Sequence, residues 1–380
     1  MEEFLGFYRG KTVLVTGHTG FKGSWLAFWL HRLGARVVGY SLAPPTTPSL
    51  FEGLRLADLV EHHLGDIRDP EHLQQVVKAT APGAVFHLAA QPIVRESYKT
   101  PVPTYDTNVM GTIHLLEALR CLSHPCSAVF ITSDKCYENR EWVYGYRETD
   151  PLGGHDPYSS SKAAAEIAIS AWRRSFFRNH PVRIASARAG NVIGGGDWAK
   201  DRIVPDCIRA LQQGQPIVVR NRLATRPWQH VLEPLSGYLW LAALLGTPSS
   251  PLNPTDTTLD TAFNFGPLRE SNRPVEALVA EILRHWPGTW EDRTDPEAVH
   301  EAALLHLSID KAQAHLGWHP VLDFATTIRE TVRWYSQAHQ DSKPERLREL
   351  TADQLDAYIA QARIQGLGWA RSHLPSLKED

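Results

Sequence analysis

The sequence KTVLVTGHTGFKG, residues 11–23, indicates how this chain folds. Its first half is an apolar, β-branched run of the kind that forms a buried strand. Gly17, Gly20 and Gly23 follow at three-residue intervals, and a mostly apolar helix pattern begins after them. A glycine-rich turn between a strand and a helix lets backbone N–H groups approach a pyrophosphate closely. The segment therefore predicts a dinucleotide-binding unit.

Alternating strand and helix patterns continue along the chain. Strand-like runs cover residues 35–40, 84–90, 128–132 and 182–187, with helical patterns between them. A repeated β-α-β order favours a Rossmann-type, doubly wound parallel α/β sheet with right-handed crossovers. After residue 190 the chain becomes loop-like and richer in arginine, which predicts a smaller α/β substrate-binding lobe. We expect the cofactor domain over residues 1–190 with returning segments near 228–260, the substrate lobe over 191–340, and a charged helical extension over 341–380.

Composition argues against several kinds of partner. The chain has 380 residues, of which 43% are hydrophobic and 21% charged, as is typical of a globular protein with a large core. A formal net charge of -3 gives no general attraction for nucleic acid or for an anionic membrane, so we expect neither as a partner. The longest apolar run, residues 237–246, has about half the length that spans a bilayer, and we interpret it as a buried helix.

The cysteines and histidines indicate neither disulfides nor a metal. The four cysteines form no CxxC pair, and the acidic start lacks a signal-type apolar run, which favours a reducing, cytoplasmic location. His87 lies inside an apolar strand pattern, where a core histidine with satisfied hydrogen bonds is the expected role. Because no His, Cys, Asp or Glu cluster has metal-ligand spacing, we predict no metal.

Tyr158 and Lys162 form a Y-x-x-x-K motif, which on a helix places both side chains on one face. A lysine ammonium beside a phenol favours the phenolate and lowers the phenol pKa from about 10. Bringing it near neutrality takes about three units, roughly 4 kcal/mol, which a lysine in a dry pocket could supply with help from a cofactor cation. The pair is a candidate base, although this spacing alone also arises by chance. Ser133, Asp134 and Lys135 follow the strand pattern over 128–132 and stand where that strand ends.

Two further strand ends predict cofactor contacts. Tyr40 and Ser41 end the second strand, where a carboxylate usually accepts a hydrogen bond from the adenosine 2′-hydroxyl and marks NAD over NADP. No carboxylate stands there, so this position leaves the choice between the two cofactors open. Asp66 and the backbone at Ile67 suit an adenine, while Asp69 equally suits an ordinary helix cap.

Arginines become frequent beyond residue 200. Arg202, Arg220, Arg222 and Arg226 lie within one stretch, and Trp228 follows closely. Arginine forks make bidentate phosphate contacts, and a tryptophan face supports a base or a sugar. The cluster therefore suits a nucleoside diphosphate. Solvated surface arginines remain the alternative for each one taken singly.

Helical patterns over residues 104–121 and 159–177 are apolar on more than one side. A helix of this kind buries more than its own contact with the sheet, so a second domain or a second subunit must cover it. Two such helices predict a homodimer, which could extend to a dimer of dimers.

Four motifs together carry a resemblance to a known family. They are GHTGFKGSW over residues 17–25, DIRD over 66–69, HLAAQ over 87–91 and YSSSK over 158–162. This set resembles the extended short-chain dehydrogenase/reductase superfamily and, within it, the nucleotide-sugar 4,6-dehydratases, over roughly residues 8–340. Residues 132–135 read TSDK, so an Asp-Lys pair stands where these dehydratases usually carry an Asp-Glu pair. An Asp-Lys pair at this place resembles the subgroup that uses CDP-linked glucose.

The resemblance implies an internal redox dehydration of a nucleotide hexose in deoxysugar biosynthesis, with NAD as the cofactor. Tyr158 with Lys162 would take the O4 proton while C4 is oxidised, and Ser133 would hydrogen-bond O4. Asp134 would protonate the departing O6. Lys135 occupies the position of the family's glutamate base, but the neighbouring carboxylate would keep it protonated, so it acts either as the C5 base or as an enolate stabiliser.

The resemblance also implies which residues bind the two small molecules. For NAD they are Gly17, Thr19, Gly20, Phe21, Lys22, Gly23, Tyr40, Ser41, Asp66, Ile67, Leu88, Ala89, Ala90, Gln91, Asn108, Thr132, Tyr158 and Lys162. For the nucleotide sugar they are Asn191, Trp198, Arg202, Arg220, Arg226 and Trp228.

Three alternatives remain beside this interpretation. The chain could dehydrate another nucleotide hexose, or it could be a C4 epimerase of the same superfamily. An epimerase needs no acid at O6, so Asp134 beside Lys135 argues against it. A non-enzymatic sensor of NAD(H) or nucleotide sugar would tolerate loss of Tyr158, Lys162 or Ser133, and all three are present.

Overall fold

A parallel sheet of seven strands forms the centre of the molecule. The computed structural model describes residues 3–247, 259–293 and 304–371. The sheet order is β3-β2-β1-β4-β5-β6-β11, and every neighbouring pair is parallel. These strands are β1 Thr12–Thr16, β2 Arg36–Ser41, β3 Glu61–Leu64, β4 Ala84–His87, β5 Cys126–Ile131, β6 Val182–Arg188 and β11 Ala262–Asn264.

Helices cover both faces of the sheet, which confirms the predicted doubly wound α/β fold. One face carries α2 (Phe21–Arg32) and α10 (Leu232–Gly246), and the other carries α4 (Pro70–Thr80), α7 (Gly111–Leu119) and α8 (Pro157–Ser175). The chain runs outward from β1 to β3 and then returns to place β4 on the other side of β1. This reversal opens a crevice at the carboxyl ends of β1 and β4, where ligands bind in folds of this class.

Short strands after residue 190 form three small sheets outside the central sheet. Three two-stranded sheets pair β7 with β10, β8 with β13 and β9 with β12. Their bounds are β7 Val192–Ile193, β8 Ile217–Val219, β9 Thr225–Pro227, β10 Gln229–His230, β12 Asn272–Pro274 and β13 Trp290–Asp292.

The remaining helices are α1 Glu3–Tyr8, α3 Leu50–Gly53, α5 Val94–Lys99, α6 Pro101–Tyr105, α9 Ile203–Gln212, α11 Val275–His285, α12 Asp310–Leu316, α13 Phe324–Gln340 and α14 Pro344–Ile364.

The helix predicted over residues 104–121 is interrupted in the structure. A π-helical turn over Asp106–Met110 separates α6 from α7. The turn carries Asn108, whose amide bonds both backbone groups of Gln91 and the Ser161 hydroxyl. A π-turn inserts one extra residue per turn and often lies at functional sites. Apolar periodicity does not reveal it, because the residues on either side keep helical spacing.

The helix α14 packs against the first crossover helix, α2. Trp29 of α2 meets Tyr358 and Trp369 with ring centroids 6.2 and 6.3 Å apart. Leu347, Leu350, Leu355 and Tyr358 of α14 are all buried. The segment predicted as a charged extension is thus helical over Pro344–Ile364 and supplies part of the core, while residues 372–380 lie outside the described ranges. No helix within those ranges is both long and apolar enough to cross a bilayer.

Candidate active site

The glycine turn between β1 and α2 forms a cradle for a dinucleotide. Gly17 has a φ of +76°, and a Cβ built on it would lie 2.7 Å from the Ala89 nitrogen. Gly20 stands at the N-cap of α2 with no side-chain cap, and a Cβ there would meet nothing closer than 3.4 Å. The first N–H groups of α2 are therefore left open to an anion such as the pyrophosphate of NAD. This cradle fits the predicted cofactor.

The end of β2 shows a hydroxyl pair where many dinucleotide sites carry a carboxylate. Thr19 Oγ1 lies 2.8 Å from Ser41 Oγ and donates to the Leu42 carbonyl at 2.9 Å. The Tyr40 side chain is fully buried and donates to the Asp66 carbonyl at 2.9 Å. Burial raises the pKa of Tyr40 to about 12. The Tyr40 hydroxyl is therefore engaged with Asp66, and the Tyr40 carbonyl accepts a hydrogen bond from Gly17 N at 3.0 Å.

The DIRD motif lies next to this ribose end. The Asp66 carboxylate binds the Arg68 backbone at 2.9 Å and the Arg68 guanidinium at 2.6 Å, which lowers the pKa of Asp66. Ile67 is buried against the core, and its carbonyl lies 3.2 Å from a ring nitrogen of His114. Asp69 accepts a hydrogen bond from His72 N at 3.0 Å and caps α4, which is one of the two roles that the sequence left open for it.

The chain after β4 lines the middle of the crevice. Leu88 and Ala89 bond the backbone and hydroxyl of Thr16, and Ala90 follows them. Gln91 N donates to Asn108 Oδ1 at 2.8 Å, and the Asn108 amide donates to the Ser161 hydroxyl at 2.9 Å. This network ties the predicted cofactor residues to α8, the helix of the candidate base.

His87 is a core histidine, as predicted. Its ring nitrogens lie 2.7 Å from Thr16 Oγ1 and 3.1 Å from Thr112 Oγ1. Burial lowers the pKa of His87 to about 3, so the ring is neutral. Within the described residues, no group of three or more His, Cys, Asp or Glu side chains is placed to hold a metal ion.

The segment after β5 begins a short 3₁₀ helix, Asp134–Cys136, capped by Ser133. Ser133 Oγ donates to Asp134 Oδ1 at 2.9 Å, and the other carboxylate oxygen accepts from Asn191 Nδ2 at 3.2 Å. A Cβ on Gly190 would lie 1.9 Å from the Asp134 carboxylate, so only glycine leaves room for it there. These contacts fix the position of an acid that is 2% exposed.

Tyr158 and Lys162 are buried on the same face of α8, beside this segment. Burial raises the pKa of Tyr158 to about 12, against a lowering effect of its hydrogen bond with Ser133. Burial also lowers the pKa of Lys162 to about 8, so the amine still carries its proton at neutral pH. The predicted lowering of the phenol pKa is therefore not seen in the protein alone, because desolvation outweighs the neighbouring donors.

Lys22 and Lys135 place two more amines at the site. Burial, with the charges of Lys162 and Arg202, lowers the pKa of Lys22 to about 7, and its Nζ lies 5.9 Å from the centroid of the Tyr238 ring. Lys135 is half-buried, and its backbone N–H donates to Ser133 Oγ at 3.2 Å. Its ammonium makes no hydrogen bond or ion pair with any residue that the structure describes.

The predicted substrate residues separate into two groups. Asn191 lies against Asp134, and Arg202, paired with Asp197 at 2.9 Å, is close enough to affect the pKa of both Tyr158 and Lys22. Trp198 is half-buried and packs edge-on against Tyr335. The structure therefore brings Asn191 and Arg202 close to side chains that the sequence predicts to be catalytic.

The other group, Arg220, Arg226 and Trp228, is described by different partners. Arg220 pairs with Asp201 at 2.9 Å, and Arg226 donates to its neighbouring carbonyl at Thr225. Trp228 is a correction to the predicted platform: it is 4% exposed and donates to the Arg273 carbonyl at 2.9 Å. The pairing of β9 with β12 turns this indole into the core, which the local sequence did not reveal.

Sequence reasoning missed Glu166, Arg188 and Tyr238 beside the site. Glu166 and Arg188 form a buried ion pair at 2.8 Å. Burial raises the pKa of Tyr238 in α10, and the nearby charges of Asp134 and Tyr158 raise that pKa further. Glu166 could have been found by extending the four-residue spacing from Tyr158 by one more turn. Arg188 and Tyr238 carry no such local pattern.

Comparison with known proteins agrees with the geometry. The GDP-mannose 4,6 dehydratase family model matches residues 14–331. A CDP-glucose 4,6-dehydratase from Salmonella typhimurium is 51% identical over 87% of this chain and 91% of its own length. A dTDP-glucose 4,6-dehydratase from Mycolicibacterium smegmatis is 28% identical over 85% and 92%. The crystal structure of dTDP-glucose 4,6-dehydratase from Bacillus anthracis in complex with NAD has the same fold, with a TM-score of 0.71, 22% identity, and coverage of 87% of this chain and 98% of that one.

Proposed function

The chain belongs to the GDP-mannose 4,6-dehydratase family, and we propose that it converts CDP-D-glucose to CDP-4-keto-6-deoxy-D-glucose. Membership makes it an NAD-dependent nucleotide-sugar dehydratase. The observation that carries the choice of nucleotide is 51% identity to the Salmonella protein over nearly the whole of both chains. The Asp134-Lys135 pair at the end of β5 supports the same subgroup.

The oxidation half of the reaction belongs to α8. NAD held by the glycine turn of residues 17–23 would supply a hydride acceptor for C4 of the sugar and a hydride donor for C6. Tyr158 takes the O4 proton as C4 becomes a carbonyl, with the Lys162 ammonium favouring the phenolate. Because burial raises the pKa of this phenol to about 12, the base role depends on positive charge held beside it. Ser133 hydrogen-bonds O4 and stabilises the charge that develops there.

The elimination half belongs to the segment after β5. The C4 carbonyl makes the C5 proton acidic. A water molecule beside C5 takes that proton, and Asp134 gives a proton to O6, which leaves as water. Lys135 lies in the same segment, and its side chain has no hydrogen bond or ion pair with the residues that the structure describes, which suits it to stabilise the enolate formed at O4. The alkene is then reduced at C6, and C5 regains a proton. One water is lost and the cofactor ends in its starting state.

The substrate phosphates have local partners in the smaller lobe. The charge of Arg202 lowers the pKa of Tyr158, and Arg220 and Arg226 lie on the same lobe. Guanidinium groups bind phosphate oxygens in bidentate fashion. We assign the nucleoside diphosphate to this lobe, residues 191–340, and the cofactor to residues 1–190 with the returning helix α10 and strand β11.

An exposed apolar surface supports a homodimer. Val102, Met110 and Ile167, on or beside α6, α7 and α8, are 77%, 43% and 59% exposed. Large apolar side chains gathered on neighbouring helices are typical of a subunit interface. A cytoplasmic location agrees with four cysteines that are all free thiols. Light scattering behind a sizing column tests the dimer, and an Ile167→Glu substitution is expected to shift it towards monomer.

The decisive experiment is a product assay. Purified protein is incubated with NAD+ and, in parallel, with CDP-, UDP-, dTDP- and GDP-hexoses, and the products are made alkaline to reveal the absorbance of a 4-keto sugar. We expect a keto product from CDP-glucose at the highest kcat/KM. A C4 epimer without keto product would identify an epimerase, and binding without turnover would identify a sensor.

A further inference from the structure

Glu166 extends the catalytic face of α8 by one turn. It lies four residues after Lys162 and eight after Tyr158, so the three side chains are neighbours along one face. Glu166 is only 3% exposed. An ionised carboxylate removed so completely from water needs several donors and an opposite charge. Its partners therefore decide what it does.

Three donors surround the Glu166 carboxylate. Thr132 Oγ1 donates at 2.5 Å, Ser186 Oγ at 2.8 Å and Arg188 Nη2 at 2.8 Å. Burial alone would raise the pKa of Glu166, but the charge of Arg188 and these hydrogen bonds hold that pKa below its usual value. The group is ionised at neutral pH. Since Thr132 directly precedes Ser133, the start of the catalytic segment is bonded to α8.

Arg188 makes the matching contact at the other end of that segment. Its Nη1 donates to Tyr137 Oη at 2.7 Å, and its guanidinium lies 4.9 Å from the centroid of the Tyr137 ring. Tyr137 follows Lys135 by two residues and donates to Asn264 Oδ1 at 2.8 Å. The ion pair thus holds the chain immediately before Ser133 and shortly after Lys135.

Glu166 also affects the charge of Lys162. Burial lowers the pKa of Lys162 to about 8, and the charges of Glu166 and Cys136 oppose that lowering. Burial raises the pKa of the Cys136 thiol far above neutrality, so Glu166 is the anion that acts at neutral pH. The other titratable groups that face Lys162 are the amine of Lys22, the neutral ring of His87 and the phenol of Tyr158.

We propose that the Glu166–Arg188 pair is a positioning unit of the reaction. It fixes the segment that carries Ser133, Asp134 and Lys135 against the helix that carries Tyr158 and Lys162, and it helps to keep the Lys162 ammonium charged. Glu166 acts through these residues and not on the sugar. The inference rests on the proposed roles of Tyr158 and Lys162.

The electrostatic role is tested by the pH dependence of a single turnover with CDP-glucose, followed by NADH absorbance. Glu166→Gln keeps the shape of the side chain and removes its charge. We expect the alkaline limb of the profile, where Lys162 loses its proton, to move to lower pH by about one unit. Glu166→Asp keeps the charge and shortens the reach, so it should lower the rate with the limb in place. An unmoved limb in Glu166→Gln would overturn this role.

A buried carboxylate outside the site provides the matched control. Glu233 in α10 is 1% exposed and accepts hydrogen bonds from Val321 N, Leu322 N and the Tyr358 hydroxyl. Glu233→Gln is expected to change thermal stability and leave the alkaline limb where it is. An equal shift of the alkaline limb in Glu166→Gln and Glu233→Gln would show that loss of any buried carboxylate moves it, and would contradict the inference.

The positioning role is tested by two hydroxyl donors that differ in one respect. Thr132→Val and Ser186→Ala each remove one hydrogen bond to Glu166, but only Thr132 adjoins the catalytic segment. We expect Thr132→Val to lower kcat by about tenfold with little change in KM, and Ser186→Ala by less than about twofold. Equal effects would overturn positioning, and this pair decides it if Glu166→Gln fails to fold. Wild-type protein that forms no NADH with any nucleotide sugar would instead refute the proposed function.

Discussion

The catalytic side and the phosphate side of the candidate site handle charge in opposite ways. Asp134, Lys162 and Glu166 are buried. Asp134 accepts hydrogen bonds from its neighbours in the site, and Glu166 accepts them from β6 and from the residue that follows β5. Arg202 is 34% exposed and pairs with the buried Asp197, whereas Arg220 is 51% exposed and pairs with Asp201 near the surface. Buried, fixed charges are preorganised for chemistry, whereas an exposed ion pair such as Arg220–Asp201 exchanges partners at little cost. This difference agrees with the proposed division of roles, in which the buried side carries out the reaction and the arginine side binds the substrate phosphates.

The largest effect is expected at the phenol that defines the buried side. Tyr158→Phe removes the group that takes the O4 proton, so kcat should fall by about 10³-fold while NAD binding is kept. The measurement is single-turnover NADH formation beside a cofactor titration followed by fluorescence. Turnover within tenfold of wild type would place the base elsewhere and remove the basis for the contrast.

Asp134→Asn separates the oxidation half of the reaction from the elimination half. The amide keeps the shape but cannot give a proton to O6, so elimination should slow by about 10²-fold while C4 oxidation continues. NADH should then accumulate to nearly one equivalent per site after CDP-glucose is mixed with the loaded protein. Steady turnover without trapped NADH would exclude Asp134 as the acid.

Lys135→Ala tests the residue at the edge between buried and exposed environments. Loss of a cation that stabilises the enolate should slow exchange of the C5 hydrogen with solvent by about tenfold to a hundredfold, with a smaller effect on oxidation. Deuterium uptake at C5 and NADH formation are compared on the same samples. Equal slowing of both steps would count against a role confined to elimination.

Arg202→Met tests the phosphate side at the arginine whose charge acts on Tyr158. Loss of a charged contact with phosphate costs about 1.5–3 kcal/mol, so KM for CDP-glucose should rise by about ten- to a hundredfold with a modest change in kcat. Arg202→Lys should restore only part of it, because an ammonium cannot match a bidentate fork. A fall confined to kcat would move Arg202 to the catalytic side.

The smallest effect is expected for Arg220→Met. This side chain is half-exposed and shares Asp201 with Arg95, so its contribution is screened by solvent and salt. KM should rise by about two- to threefold at low ionic strength, and the difference should vanish in high salt. A large, salt-independent rise would show that Arg220 reaches the phosphates in a closed complex.

The sequence was informative where chemistry is local. The β1 turn and the position of His87 follow from neighbouring residues and periodicity, and the structure confirms both. The Glu166–Arg188 pair joins α8 to β6, and the burial of Trp228 depends on the pairing of β9 with β12, so both require long-range contacts. The raised pKa of Tyr158 depends on burial, which a helical motif does not define.

The packing of α14 on α2 has a consequence for biosynthesis of the chain. Trp29 and Arg32, on the helix that carries the first glycine turn, contact Tyr358 and Asp356 more than 320 positions later. A ribosome-bound chain can pair its early strands, but the outer face of α2 stays exposed to solvent until residues beyond about 350 emerge. The family match ends at residue 331, before this cover. Shielding α2 from aggregation during translation therefore depends on a segment that the family comparison does not include.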